Sequence, residues 1–295
     1  MSAHKLRGIA YEERGSGLPF LAVHGYTLDR RMSIGAFEPL FDAEGRVALP
    51  ASAGALRPSG GPSSRSHRRI YPDLPFMGES DDLGPGLGSD EMLAALLGFV
   101  EALLPAGPLL LAGESYGGYM VRGLARVLGD RVAGLFLLCP CVVARLAERE
   151  VPHPGLLREE AGWSEGLTPA EVEGYLDCAV VASRPAFERI RAEILSGIAV
   201  ARHAELERLK ARYPYSFDAM GRGGEPFDPV FDRPACFFLG RQDSSVGWRD
   251  ALRLADRYPR AGYHILDAAG HNAQVEQAGA FAAAFGAWIA DCEAG

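Results

Sequence analysis

The chain has 295 residues, 48% of them hydrophobic, which is enough for one large core or for a core carrying a smaller insert. Its net charge of −8 argues against a nucleic acid or an anionic membrane as the main partner. The N-terminus carries no apolar secretory segment, no run approaches a membrane span, and the five cysteines form no paired framework. We therefore expect a cytoplasmic protein with reduced thiols. The charge indicates nothing further about the substrate, and the sequence does not indicate an oligomeric state.

The first half of the chain alternates between apolar strands and helical patterns. Strands are predicted at residues 4–14, 19–23, 69–71, 108–112 and 132–138. Helical spacing covers residues 90–104, with Asp90 as the N-cap, and residues 116–128. This alternation predicts a mostly parallel sheet with helices on both faces.

The alternation stops between residues 141 and 230, where the pattern is helical with several proline breaks. It resumes with a strand at 235–239, a helix at 248–258, a strand at 263–266 and a helix at 275–289. A helical block between two strands of one sheet must lie outside it, most simply as a cap above the carboxyl edge, where open α/β sheets bind ligands. We therefore predict an α/β core of residues 1–140 and 231–295 and a helical cap of residues 141–230.

Residues 45–67 fit this scheme poorly. They are rich in Ala, Gly, Pro, Ser and Arg and show no sustained period. They predict an irregular, flexible surface loop within the core, arising either from a natural insertion or from a locally altered reading frame. The basic cluster at residues 65–69 is interpreted as the solvated end of this loop.

Ser115 is the candidate nucleophile. It follows an apolar strand directly, in Gly113-Glu114-Ser115-Tyr116-Gly117, and a helical pattern comes next. A serine in this strand-to-helix turn is presented at the carboxyl edge of the sheet. Small residues are needed two positions before and after it, because side chains there would clash with neighbouring backbone. The helix N-terminus favours negative charge at the same place.

His271 and Asp243 are the candidate partners of Ser115. A serine hydroxyl needs a base to remove its proton and a third group to orient that base. His271 follows the strand at 263–266, and Asp243 follows the strand at 235–239, which places the acid between serine and histidine in chain order. Asp243 also has a competing interpretation as a helix cap.

The oxyanion of an acyl-transfer reaction requires two backbone donors. The N–H of Tyr116, directly after the nucleophile, and the N–H of Tyr26, in the loop after the strand at 19–23, are the candidates. His24 in that loop is interpreted as structural, bonding within its own loop. Glu114 is interpreted as a residue that bonds within the fold, although contact with a substrate is open.

The remaining polar and aromatic motifs indicate no cofactor. Neither a metal-ligand spacing nor a dinucleotide fingerprint is present, so we expect neither a metal nor a cofactor. Cys139 and Cys141 are interpreted as buried residues at a strand end rather than as a metal or redox pair. Tyr213, Tyr215 and Phe217 fit a pocket wall and a cap core equally well.

Taken in order, these motifs resemble the α/β-hydrolase fold superfamily, in its branch with a helical cap after the sixth strand. The resemblance rests on His24 to Thr27, Tyr71 to Pro75, Gly113 to Gly118, Gly240 to Asp243 and Gly270 to Asn272. It implies a cofactor-free serine hydrolase with Ser115, Asp243 and His271 as its catalytic triad.

Two departures from the family and several substrate classes stay open. Phe76 stands where the family usually has a glycine, and the first edge strand is absent or very short. A small or medium carboxylic ester, cleaved through an acyl-enzyme, is the default substrate by analogy. Alternatives are a proline iminopeptidase-like aminopeptidase, a low-turnover ligand-binding protein with this fold, and hydrolysis of a carbon–carbon bond.

Overall fold

The computed structural model describes residues 4–48, 65–84, 88–153, 155–216 and 229–294. Eight strands form one sheet in the order β1-β2-β4-β3-β5-β6-β9-β10, and β7 pairs with β8 separately. β2 pairs antiparallel with β1 and β4, and all other neighbours are parallel. The strands are β1 (His4–Leu6), β2 (Ile9–Arg14), β3 (Leu18–Val23), β4 (His67–Pro72), β5 (Leu109–Glu114), β6 (Val132–Leu138), β7 (Arg158–Glu159), β8 (Val181–Ala182), β9 (Ala235–Gly240) and β10 (Ala261–Leu266).

The helices pack against this sheet in two groups. α2 packs against β1 and β2 and α3 against β5, whereas α1 and α10 pack on β3 and β6. This second group closes an aromatic core in which the rings of Phe20, Phe37, Phe136 and Phe285 lie 5.3–5.9 Å apart. The helices are α1 (Arg30–Phe37), α2 (Ser89–Leu103), α3 (Tyr116–Leu128), α4 (Pro169–Leu176), α5 (Arg184–Ile190), α6 (Ser196–Ile198), α7 (His203–Lys210), α8 (Arg249–Leu252), α9 (Ala273–Glu276) and α10 (Ala278–Ala294).

The predicted α/β fold with a mostly parallel sheet is confirmed, and the first edge strand, β1, is three residues long. Within residues 141–230, hereafter the insert, the described elements are α4 to α7, the short pair β7 and β8, and a π-helical turn at Arg191–Leu195. No helix in the described part of the chain is both long and apolar enough to cross a membrane.

Some helix limits differ from the prediction. The N-cap of α2 is Gly88, and the Asp90 carboxylate instead accepts hydrogen bonds from the backbone and hydroxyl of Ser216 in the insert. The N-cap prediction for Asp90 is therefore wrong, because a distant partner competes for the side chain. The helix predicted at 248–258 is only α8 followed by a 3₁₀ turn, Ala255–Arg257. The closing helix is interrupted at Gln277, whose amide donates to the carbonyls of Asp267 and Ala268.

The loop predicted at 45–67 lies for the most part outside the described residues, since 49–64 are not among them. Its described ends are only partly exposed. Val47 is 4% exposed and forms a β-bridge with Phe41, and His67 is fully buried as the first residue of β4. Val47 and His67 therefore depart from the predicted surface loop, whereas Arg46, Ala48 and Arg65 are exposed.

The interpretation of residues 65–69 as a solvated loop end is wrong for residues 67–69, which belong to β4, whereas Arg65 before the strand is exposed. Arg68 forms an ion pair with Glu13 on β2, and the 5%-exposed Arg69 forms one with Glu38 after α1. Each guanidinium is paired with a carboxylate from a distant part of the chain, which allows a charged residue to occupy a position on β4 that is partly or fully buried. A count of neighbouring charges along the sequence does not reveal such partners.

Phe76 keeps the backbone that a glycine would adopt. Its φ of +65° lies in the left-handed region, which a phenylalanine rarely occupies. The side chain is buried, the guanidinium of Arg202 lies 5.7 Å from its ring, and the Arg202 N–H donates to the Phe76 carbonyl. The turn therefore retains its shape, and the extra ring packs the core against the insert.

Candidate active site

Ser115 lies on a strained turn between β5 and α3. Its φ of +53° and ψ of −117° fall outside the regions that non-glycine residues prefer. The turn is held to the end of β6 because the Ser115 N–H donates to the Leu138 carbonyl and Cys141 donates to the Ser115 carbonyl. A Cβ on Gly117 would overlap the carbonyl of Val23. The predicted requirement for small residues around the serine is confirmed at this position.

Asp243 and His271 form a hydrogen-bonded pair at the same edge of the sheet. His271 Nδ1 lies 2.9 Å from Asp243 Oδ2, while Asp243 Oδ1 accepts the N–H groups of Ser245 and Val246. The carboxylate therefore closes its own turn and contacts the imidazole at once, but it does not cap a helix, since the N-cap of α8 is Trp248. Burial alone would raise the Asp243 pKa, but the charge and hydrogen bond of His271 lower it below its usual value.

The imidazole of His271 forms an ion-pair contact with Glu114 through Nε2. Its Nε2 lies 3.2 Å from Glu114 Oε1, and within the described chain no hydrogen bond joins Nε2 to the Ser115 hydroxyl. Burial lowers the pKa of His271, but Asp243 and Glu114 together raise it to about 9. Burial raises the pKa of Glu114 to about 7, against the opposing effect of His271. The sequence interpretation of Glu114 missed this contact; the available signal was a carboxylate ending an apolar strand beside the nucleophile.

The two candidate oxyanion donors, Tyr26 and Tyr116, follow the ends of β3 and β5. Among the described residues, neither backbone N–H donates to an acceptor. Their rings meet edge-on at 6.0 Å. A Cβ on Gly25 would overlap Glu114 Oε2 and lie 3.1 Å from Ser115 Cβ, so only glycine fits between the two loops.

His24 anchors the loop that carries Tyr26. Its Nε2 accepts the N–H of Leu74, so Nδ1 carries the proton that is donated to the Gly25 carbonyl. Burial lowers its pKa and keeps the ring neutral. The side chain thus bonds its own loop, as the sequence predicts.

A cavity of about 470 Å³ opens over Ser115, Glu114 and His271. The insert supplies most of the apolar wall of the cavity. Of the three aromatic residues considered in the sequence, Tyr213 lines the cavity, whereas Tyr215 stacks on Tyr119 with ring centroids 4.3 Å apart. Phe217 lies outside the described residues. Leu146 at the cavity is 67% exposed. The aliphatic lining residues are Leu28, Leu146, Leu176, Ala179, Val180, Ile194, Ile198 and Val246.

A family model described as the alpha/beta hydrolase family matches residues 20–284. The chain belongs to the alpha/beta hydrolase family. No curated protein matches its sequence.

Solved structures of alpha/beta hydrolases are similar over nearly the whole chain. An alpha/beta superfamily hydrolase from Oenococcus oeni PSU-1 is 25% identical, with a TM-score of 0.84 and coverage of 99% of this chain and 100% of that one. A thermophilic esterase from Thermogutta terrifontis, malate bound, is 24% identical (TM-score 0.59; 96% and 93% covered). The N-acyl homoserine lactonase AidH, complexed with N-butanoyl homoserine, is 20% identical, with a TM-score of 0.64 and coverage of 99% of this chain and 97% of that one. The last two likenesses show the fold alone.

Glu276 joins the histidine loop of this alpha/beta hydrolase to its insert, which sequence reasoning missed. One carboxylate oxygen accepts the N–H of Gly270, at 2.6 Å, and the other accepts those of Val180 and Val181, at 2.6 and 3.2 Å. Val180 lines the cavity, and Gly270 precedes His271. One side chain therefore connects the loop that carries His271 to the wall of the cavity.

Cys139 lies behind the Asp243–His271 pair in the alpha/beta hydrolase core. Its thiol and the two side chains offer ligand atoms that all lie within 4.8 Å of one another. This group does not fit a metal, since Asp243 and His271 bond each other and burial raises the thiol pKa, which disfavours the thiolate. Cys139 and Cys141 are both fully buried, as the sequence predicts.

Proposed function

We propose that this alpha/beta hydrolase is a serine hydrolase that cleaves a small or medium carboxylic ester through an acyl-enzyme. The observation that carries the proposal is the strained Ser115 turn opening into the same cavity as a histidine held by a buried aspartate. A positioned base of this kind supplies the activation that a serine hydroxyl lacks in water.

In the proposed mechanism, Ser115 Oγ attacks the carbonyl carbon and His271 Nε2 takes its proton. The N–H groups of Tyr26 and Tyr116 stabilise the tetrahedral oxyanion. His271 returns the proton to the leaving alkoxide, and a water molecule then cleaves the acyl-enzyme by the same route. Asp243 keeps Nδ1 protonated, so that Nε2 presents its lone pair to the serine.

The resting geometry requires one rearrangement before this chemistry. His271 must turn its Nε2 from Glu114 toward Ser115, the neighbouring residue. Catalytic hydrogen bonds are often loose without substrate and tighten in the Michaelis complex, so this rearrangement is compatible with the proposed roles.

The cavity supports an ester with an apolar acyl or alkyl group. Its volume of about 470 Å³ falls within the range of roughly 300–1,000 Å³ for small-molecule sites. Leu176, Val180 and Ile194 offer apolar surface from the insert, and the same elements limit water access.

The Ser115→Ala variant tests the proposal on a panel of p-nitrophenyl esters, an N-acyl homoserine lactone and a prolyl arylamide. We expect ester turnover by the wild type and a roughly 10⁴-fold or larger loss of kcat in the variant with unchanged circular dichroism. Ser16→Ala, an exposed turn serine, is the matched control and should keep full activity. Turnover of the arylamide alone would replace the ester assignment by an aminopeptidase, and ligand-dependent stabilisation without product would indicate a binding protein.

A further inference from the structure

Glu114 presents a buried carboxylate to the catalytic histidine from the side where the serine proton must arrive. It is the last residue of β5 and is 2% exposed. Its Oε1 lies 3.2 Å from His271 Nε2, and its Oε2 is buried against Gly25 with no hydrogen-bond partner. The Gly25 N–H lowers the Glu114 pKa, but its alignment is not that of a hydrogen bond. Among the described residues, the charged side chain that the Glu114 carboxylate meets is therefore the imidazole of His271, in an ion-pair contact.

The contact between Glu114 and His271 requires a proton. A neutral imidazole that donates from Nδ1 to Asp243 has only a lone pair on Nε2, and an ionised Glu114 has only lone pairs on Oε1. Two acceptors at 3.2 Å repel each other. One of the two groups therefore carries a proton. Because Asp243 and Glu114 raise the pKa of His271 to about 9, that proton is on Nε2 near neutral pH, where it occupies the lone pair that would accept the Ser115 proton.

We propose that Glu114 is a positioning residue that competes with Ser115 for His271 Nε2 by pairing with the protonated imidazole, so that the site becomes competent only after the Nε2 proton has left. The proposal rests on the serine hydrolase function proposed above. The proton passes to solvent through the cavity, His271 turns to Ser115, and the serine proton then takes the vacated lone pair. No bond to carbon changes in this step.

The charges around the pair determine the direction of the pH dependence. Asp243, from the loop after β9, and Glu114 both stabilise the imidazolium, whereas Arg149, from the insert, opposes it. The neutral Cys139 thiol lies behind Asp243. Since both carboxylates raise the pKa of His271, the population of its neutral form, which can act as a base, increases only as the pH rises above neutrality. Removing the Glu114 charge moves that increase to lower pH.

The test compares wild type with Glu114→Gln, which keeps the side-chain volume, and Glu114→Ala, which removes the competing group. Glu148→Gln, an exposed carboxylate 60% accessible, is the control. We expect both Glu114 variants to move the acidic limb of kcat/KM for a p-nitrophenyl ester at least one pH unit lower. One unit corresponds to a tenfold gain at a fixed acidic pH. The control should keep the wild-type profile.

A second readout does not depend on turnover. The His271 imidazole resonance, assigned with the His271→Ala variant, is titrated by NMR in each protein. A lower midpoint in both Glu114 variants supports the proposal, and an unchanged midpoint overturns it, whatever happens to activity. If Ser115 were not the nucleophile, a fluorophosphonate would leave Ser115 unmodified in every protein, yet the titration would still separate the Glu114 variants from the wild type. The two failures are therefore distinguishable.

Discussion

Replacing Asp243 with asparagine reverses the proton arrangement on His271 without changing the size of the side chain. Asp243 Oδ1 accepts two backbone N–H groups, from Ser245 and Val246, at 2.8 and 3.0 Å. An asparagine keeps its oxygen on those two donors and must turn its NH₂ group toward His271 Nδ1. Nδ1 then accepts, the ring proton moves to Nε2, and no lone pair faces Ser115.

The expected loss in Asp243→Asn follows from this tautomer. We expect kcat to fall by about 10⁴-fold, the cost of a wrong tautomer in a catalytic triad. The variant also exchanges a charge-assisted hydrogen bond for a neutral one, which lowers the free energy of unfolding by roughly 1–2 kcal/mol at pH 7. The Asp243 pKa is depressed in the folded state, so the wild-type advantage is present above the unfolded pKa and is lost as the pH falls.

The assay is steady-state hydrolysis of a p-nitrophenyl ester at several pH values, with urea unfolding measured in parallel. Asp267→Asn is the matched control, since Asp267 lies at the same edge of the sheet, exposed and bonded to Gln242. It should change kcat/KM by less than twofold. Retention of more than a tenth of the wild-type kcat by Asp243→Asn would refute the assigned role of the aspartate.

Two further substitutions test how the site is held. Glu276→Gln places an NH₂ group against a backbone N–H of either Gly270 or Val180. We therefore expect the free energy of unfolding in urea to fall by about 1–3 kcal/mol and kcat to decrease. An unchanged unfolding midpoint would contradict the idea that Glu276 holds the two loops together. Gly117→Ala drives a Cβ into the Val23 carbonyl, so we expect loss of folded protein or of activity by circular dichroism and ester assay. Gly174→Ala, in an open position of α4, should be neutral or stabilising, and equal effects at both glycines would argue against the steric account.

The sheet and the meeting of Asp243 with His271 follow from the sequence because chain order constrains them strongly. Parallel strands that alternate with helices place their carboxyl ends at one edge, so residues directly after β9 and β10 meet there. The glycine pattern around Ser115 follows from the same arrangement, because a Cβ on Gly117 would overlap the Val23 carbonyl at the end of the neighbouring strand β3, and one on Gly113 would overlap the Gly117 carbonyl.

The partners of charged side chains could not be predicted in the same way. Asp90, Arg69 and Glu114 each meet a group at least 31 positions away in the chain. From the local sequence, Asp90 is predicted to cap a helix, Arg69 to lie in a solvated loop and Glu114 to bond within the fold. The actual partner of each side chain depends on which distant segment packs beside it. The role of Glu276 could not be predicted from the sequence either, because its carboxylate accepts hydrogen bonds from backbone N–H groups of two segments that only the fold brings together.

The central claim is that Ser115 is a nucleophile activated by His271, and covalent labelling tests it most directly. The wild-type protein is treated with a fluorophosphonate, digested and mapped by mass spectrometry. The account predicts one adduct per chain, on Ser115, that is absent in Ser115→Ala and forms far more slowly in His271→Ala. An adduct on a different residue, or ester hydrolysis by a protein whose Ser115 stays unmodified, would contradict it.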